Sequence, residues 1–183
     1  MSTVPPTDGP PSPAPPPTAT LPELDREAFV DRFGGVVEDS PWVAEAAWEA
    51  GPFSDVVALH DAFERVLLHA GEQLQRRVLL AHPELAVSGG VDAATLSEES
   101  AGEQRGAGLD RLAAARRDAL AVALRTYRDR FGFPFVACVR DHGGAGLEEL
   151  LASRVDAAPD DELRTALREV SAIARHRLED LCA

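Results

Sequence analysis

The sequence predicts an all-α fold: a single-domain helical bundle of about eight or nine helices over residues 21–183, behind a disordered Pro-rich tail, residues 1–20. Three observations predict it. Apolar residues recur at helical spacing along most of the chain. Gly and Pro fall between those stretches, where helices stop and start. Pairs of alternating segments joined by hairpin turns are absent.

Taken in order, Met1 to Thr20 is rich in Pro, Thr, Ser and Ala and cannot bury apolar area, so it reads as disordered or partly polyproline II. From Leu21 helix signals dominate. Pro22 suits a first turn, and Phe29, Val30 and Phe33 share a face before Gly34-Gly35 ends the pattern. Ser40-Pro41 reads as an N-cap and N1 pair for a short helix ending near Gly51. Ser54 reads as the next cap, with Val57, Leu59, Phe63, Val66 and Leu67 on the apolar side. Gly71 interrupts, and a further helix runs to Ala81. A loop from Val87 to Thr95 and a short helix near Glu98 to Arg105 come next. A long helix is expected from Asp110 to Phe131. Phe133 to Val139 is apolar but has no strand partner, and reads as a buried connection. Asp141 to Gly146 reads as a glycine-rich loop, and helices from Ala145 to Val155 and Asp160 to Leu181 close the chain.

Charge and cysteine content narrow the function. The net charge is −13, from 31 Asp and Glu against 18 Lys and Arg. A nucleic-acid partner is excluded on that balance, because phosphate binding needs clustered cations. An anionic substrate would need a local cation of its own. The two cysteines, Cys138 and Cys182, form no Cys-x-x-Cys pair, so a zinc or redox motif of that kind is excluded. No apolar run reaches the roughly 20 residues that span a bilayer. The N-terminus lacks the basic and apolar regions of a signal peptide, so a cytoplasmic, reduced protein is expected.

Three polar spots fall on apolar faces. His82 continues the face of Val78 and Leu79, and Pro83 stops the helix there. It is either a satisfied helix-end residue or a proton donor or acceptor; the helix dipole favours its protonated form. Ser100, Glu103 and Gln104 share one helical face, presenting a hydroxyl, a carboxylate and an amide. They form either a solvated face or a reader of a small heterocycle. Arg177 borders the stripe of Leu163, Leu167, Val170, Ala174, Leu178 and Leu181. It either snorkels to solvent or meets a buried carboxylate or an anionic ligand. Arg175 and His176 read as solvated, and His60-Asp61 as structural or surface residues. Gly143-Gly144-Ala145-Gly146 lacks the strand and lysine of a phosphate loop, and no cluster suggests a metal.

Short motifs in order carry a resemblance. They are Phe29-Val30-Asp31-Arg32-Phe33-Gly34-Gly35-Val36-Val37-Glu38, Pro52-Phe53, His82-Pro83-Glu84-Leu85-Ala86 and Ser100-x-x-Glu103-Gln104 with Ala107-Gly108-Leu109. Tyr127-x-x-Arg130-Phe131-Gly132-Phe133-Pro134-Phe135-Val136 and Ile173-Ala174-x-x-Arg177-Leu178 complete the set. With them the chain resembles the 2-oxo-4-hydroxy-4-carboxy-5-ureidoimidazoline (OHCU) decarboxylases, which release (S)-allantoin at the end of urate oxidation. The resemblance covers about residues 23 to 182. It departs at Val87, where many members have glycine, and in the glycine-rich Asp141–Gly146 loop. It implies a helical fold, no cofactor, a small ureidoimidazoline substrate and a homodimer. It also implies that His82 and Glu103 are catalytic and that Arg177 binds substrate. Ser100 and Gln104 would hold the ureido and ring groups, Pro83 would line the pocket, and backbone groups of Phe135, Val136 and Ala137 would contact the ring. A helical interaction module without activity is the alternative, and the intact His82, Glu103 and Arg177 argue against it.

Overall fold

A computed structural model describes residues 23–84, 114–143 and 146–183. Among these the protein is all-α: eight helices and no strand. The Pro-rich tail, the expected Val87–Thr95 loop, the expected helix near Glu98 to Arg105 and the first residues of the long helix lie outside the described residues.

Helix α1 (Arg26–Phe33) starts later than Pro22 suggests, because Asp25 is its cap: the carboxylate accepts the backbone N–H of Ala28 at 2.9 Å. It stops at Gly34, where a Cβ would lie 2.5 Å from the Val30 carbonyl oxygen, so only glycine fits. A tight turn follows, burying Val36 and Val37, with Asp39 at φ 44°. Helix α2 (Pro41–Trp48) has Pro41 in its first turn, but Ser40 makes no side-chain cap bond. Helix α3 (Val56–His69) is capped by Asp55, not Ser54. The Asp55 carboxylate takes the Ala58 N–H at 2.8 Å, and the Ser54 hydroxyl only donates to that carboxylate. Leu59, Ala62, Phe63 and Leu67 are its buried side; Val57, at 64% exposure, is not part of it.

Helix α4 (Glu72–Ala81) buries Val78 and Leu79 and ends at His82. Its Gln75 amide donates to the Leu67 and Leu68 carbonyls, tying it to the end of α3. Helix α5 (Ala114–Phe131) runs into Gly132, whose φ of +79° is the left-handed turn that glycine adopts without strain. Phe133 through Cys138 then form the expected connection without a strand, with Phe133, Phe135, Val136, Ala137 and Cys138 all buried.

One sequence expectation fails here. Asp141 and His142 are not loop but the end of a one-turn helix, α6 (Val139–His142), which terminates at Gly143 with φ +67°. The glycine that suggested a loop only ends a short helix. Helices α7 (Leu147–Arg154) and α8 (Pro159–Cys182) follow.

Helix α8 organises the core by packing against α3, α4 and α5. Its buried stripe holds Leu163, Leu167, Val170, Ala174 and Leu178 as expected. Leu181 is 42% exposed, while the adjacent Cys182 packs against the core. His60 on α3 meets the carbonyl and hydroxyl oxygens of Ser171 at 3.0 Å, a structural tie between the two helices. Among the described residues no helix is long and apolar enough to cross a membrane.

Candidate active site

His82 is placed by its own neighbours. Pro83 disfavours helical geometry at the preceding residue. His82 is accordingly the extended C-cap of α4, at φ −71° and ψ 134°. Its ring folds back over the last turn and is only 6% exposed. Nδ1 lies 2.8 Å from the Val78 carbonyl oxygen, and a carbonyl only accepts, so Nδ1 carries a proton. Nε2 is buried and meets no hydrogen-bond partner among the described residues.

The charge state differs from the helix-dipole expectation. Burial pushes the His82 pKa below its ordinary value, and the nearby Arg177 adds to this. The Val78 bond and the carboxylates of Glu38 and Asp39 act the other way but do not win. His82 is therefore a neutral imidazole near pH 7, with Nδ1 as donor and Nε2 as acceptor. The dipole acts within the last turn, and full desolvation outweighs it.

Arg177 comes from α8, a distant part of the chain. It does not snorkel: it is 7% exposed. Its Nη1 donates to the Val36 carbonyl at 3.3 Å and to Glu38 Oε2 at 3.1 Å. The buried carboxylate that a buried arginine needs is thus Glu38, itself 12% exposed. Sequence reading left Glu38 unassigned. Its signal was present: it closes the Phe29–Glu38 motif, directly after the two valines that the turn buries. The buried imidazole at the end of α4 thus feels one cation, Arg177 of α8, and two carboxylates of the α1–α2 turn, the part-buried Glu38 and the exposed Asp39.

Pro83 is half-buried beside His82. Phe135, Val136 and Ala137 are buried in the connection, which a polar network holds. The Val136 carbonyl accepts from Arg154 Nη1 at 2.9 Å, and the Cys138 N–H donates to Glu169 at 2.7 Å. Arg154 in turn meets Glu162 and the Tyr127 hydroxyl, and stacks over the Phe135 ring at 4.6 Å. Ser100, Glu103 and Gln104 lie outside the described residues.

A second polar cluster joins α6 to α8. Donor atoms of Cys138, Asp141 and His176 lie within 4.8 Å of one another. Asp141 is already engaged, by His176 Nε2 at 2.6 Å and by Arg175 Nη2 at 3.0 Å. Burial pushes the Cys138 thiol up to about 11. A guanidinium on the carboxylate and a protonated thiol do not fit a metal ion. The group is a polar cluster in which Arg175, 38% exposed as expected of a solvated residue, also pairs with Asp141, while His176 at 16% is more covered than the sequence suggested.

An OHCU decarboxylase family model matches residues 22–179. The chain is 40% identical over 161 residues to the 2-oxo-4-hydroxy-4-carboxy-5-ureidoimidazoline decarboxylase of Halalkalicoccus jeotgali, covering 88% of this chain and 89% of that one. It is 40% identical over 157 residues to the enzyme of the same name from Haloferax volcanii, covering 86% and 90%. In fold it is similar to a crystal structure of (S)-allantoin synthase, with a TM-score of 0.69 at 24% identity. That likeness covers 87% of this chain and 51% of the other, so the chain spans about half the length of that protein. These matches define a decarboxylase, an enzyme of the carboxy-lyase class. The chain belongs to the OHCU decarboxylase family.

Proposed function

We propose that this protein converts OHCU to (S)-allantoin and carbon dioxide in urate breakdown, with residues 21–183 as the working unit. The observation that carries the reading is His82: a buried imidazole anchored through Nδ1, its Nε2 without a partner among the described residues, beside Arg177. The family membership supplies the substrate, since the relatives bear that name.

The substrate carries its carboxylate on a carbon that also bears a hydroxyl, next to the ring imine. Breaking the bond to the carboxylate carbon releases carbon dioxide, and the electron pair passes into the imine. The former imine nitrogen and the ring carbon bearing the ureido group then each gain a proton, and the hydroxyl becomes a carbonyl by losing one. Net, one proton is taken up. The ring is its own electron sink, so no cofactor is required. His82 and Glu103 form the acid/base pair. The neutral His82 accepts a hydrogen bond from the substrate hydroxyl at Nε2 and polarises it. Arg177 holds anionic or carbonyl oxygens, the local cation an acidic protein needs. Ser100 and Gln104 hold the ureido and ring groups, Pro83 lines the pocket, and backbone groups of Phe135, Val136 and Ala137 contact the ring. The protein works as a cytoplasmic homodimer.

The test is circular dichroism on urate treated with urate oxidase and 5-hydroxyisourate hydrolase. Optically active allantoin should appear faster when this protein is added. An unchanged rate of appearance would remove the reading.

A further inference from the structure

Arg177 has a job that its own side chain does not define. Arginine reaches a core edge on a flexible stem, and a binding arginine must hold one orientation to recognise one set of oxygens. Here the orientation is set by two acceptors in the α1–α2 turn: the Val36 carbonyl and Oε2 of Glu38, at 3.3 and 3.1 Å from the same Nη1. The turn is itself fixed. Val36 and Val37 are buried, the Val36 N–H bonds the Phe33 carbonyl, and the Ser40 N–H bonds that of Val37. The carboxylate therefore stands on rigid backbone, not on a free loop.

We propose that Glu38 is a positioning residue of this site: it clamps Arg177 against the α1–α2 turn and places a negative charge beside His82. The inference rests on the reading of His82 and Arg177 as site residues and goes beyond it, by adding a residue from a third element. The clamp fixes the guanidinium in one orientation, so that this local cation presents its donors to one set of substrate oxygens. The charged groups acting on the His82 ring are Glu38 and Asp39 from the turn and Arg177 from α8, with the Val78 carbonyl from α4. Of the two carboxylates, only Glu38 also bonds Arg177. Losing it removes an attraction for imidazolium and leaves Arg177 to repel it.

Two substitutions in the full chain separate charge from reach. Glu38→Gln keeps the length and loses the charge; Glu38→Asp keeps the charge and shortens the arm by one methylene. The His82 ring is titrated by NMR, and kcat and KM for OHCU are measured beside it, with far-UV circular dichroism as the fold check. Glu38→Gln should move the His82 midpoint to lower pH and raise KM about tenfold, the cost of one charge-assisted hydrogen bond, with kcat changed less. Glu38→Asp should leave the midpoint near that of wild type and still raise KM. A folded Glu38→Gln protein with wild-type midpoint and wild-type KM overturns the proposal. If the Gln variant does not fold, a wild-type KM in Glu38→Asp overturns it. A wild-type protein that ignores OHCU sinks the proposed reaction instead, and the NMR titration then decides the fate of Glu38 alone.

Discussion

Nη1 of Arg177 lies 3.1 Å from Oε2 of Glu38, across 139 residues of sequence, and both side chains are almost fully buried. The same nitrogen also reaches the Val36 carbonyl. Lysine has neither the planar fork nor the length to reproduce that geometry. Arg177→Lys should therefore raise KM for OHCU by about tenfold or more while the helical content stays unchanged. Steady-state kinetics with far-UV circular dichroism check it.

His82 makes stability depend on pH. Its pKa is lowered in the folded protein, so below its ordinary value of 6.5 the unfolded chain binds a proton that the folded one does not. Stability rises with pH wherever the unfolded state holds more protons. The contribution is intact above pH 6.5 and is lost as pH falls through that value towards the folded pKa. The slope from this one group is at most about 1.4 kcal/mol per pH unit. Urea unfolding at pH 7.5 and 5.5 should show a smaller loss in His82→Gln than in wild type.

The fold was legible where local chemistry decides it. Helical spacing, Gly34, Gly71 and Pro83 place the elements, and the strand-free Phe133–Val139 connection followed from its lack of a partner. Boundaries slipped where two residues compete for one role, as Ser54 and Asp55 do for the α3 cap. Val57 and Leu181 are apolar but exposed, because the covered face at those helix ends is taken by the adjacent Val56 and Cys182. The position of His82 was readable from Val78, Leu79 and Pro83. Its neutral state was not, because burial comes from the packed tertiary structure. Glu38 escaped for the same reason: nothing local says that a turn near residue 38 meets a helix near residue 177.

Arg154 and Glu162 form a buried ion pair, with Tyr127 as a third member. Removing one partner leaves an uncompensated charge in the core. Arg154→Met or Glu162→Leu alone should each cost about 3–5 kcal/mol. The double substitution should cost far less than the sum, since an apolar pair of similar volume often replaces a buried ion pair without loss. A double-mutant cycle by urea unfolding measures the coupling, and additive losses would contradict it.

The thiols should be unreactive. Burial raises both, and Cys138 stands at about 11. Cys138 is fully enclosed, and Cys182 is partly exposed. At pH 7.5 a thiol reagent should label Cys182 slowly and Cys138 only after denaturant is added. Mass spectrometry of the labelled peptides distinguishes the two.

Decarboxylation of OHCU by this protein should depend on His82. The most direct measurement is the rate at which freshly generated OHCU gives optically active allantoin, followed by circular dichroism with wild type, His82→Gln and Glu103→Ala. Wild type should accelerate the reaction, and each variant should fall to the unassisted rate while keeping its helical spectrum. Near-wild-type turnover by folded His82→Gln would contradict the account.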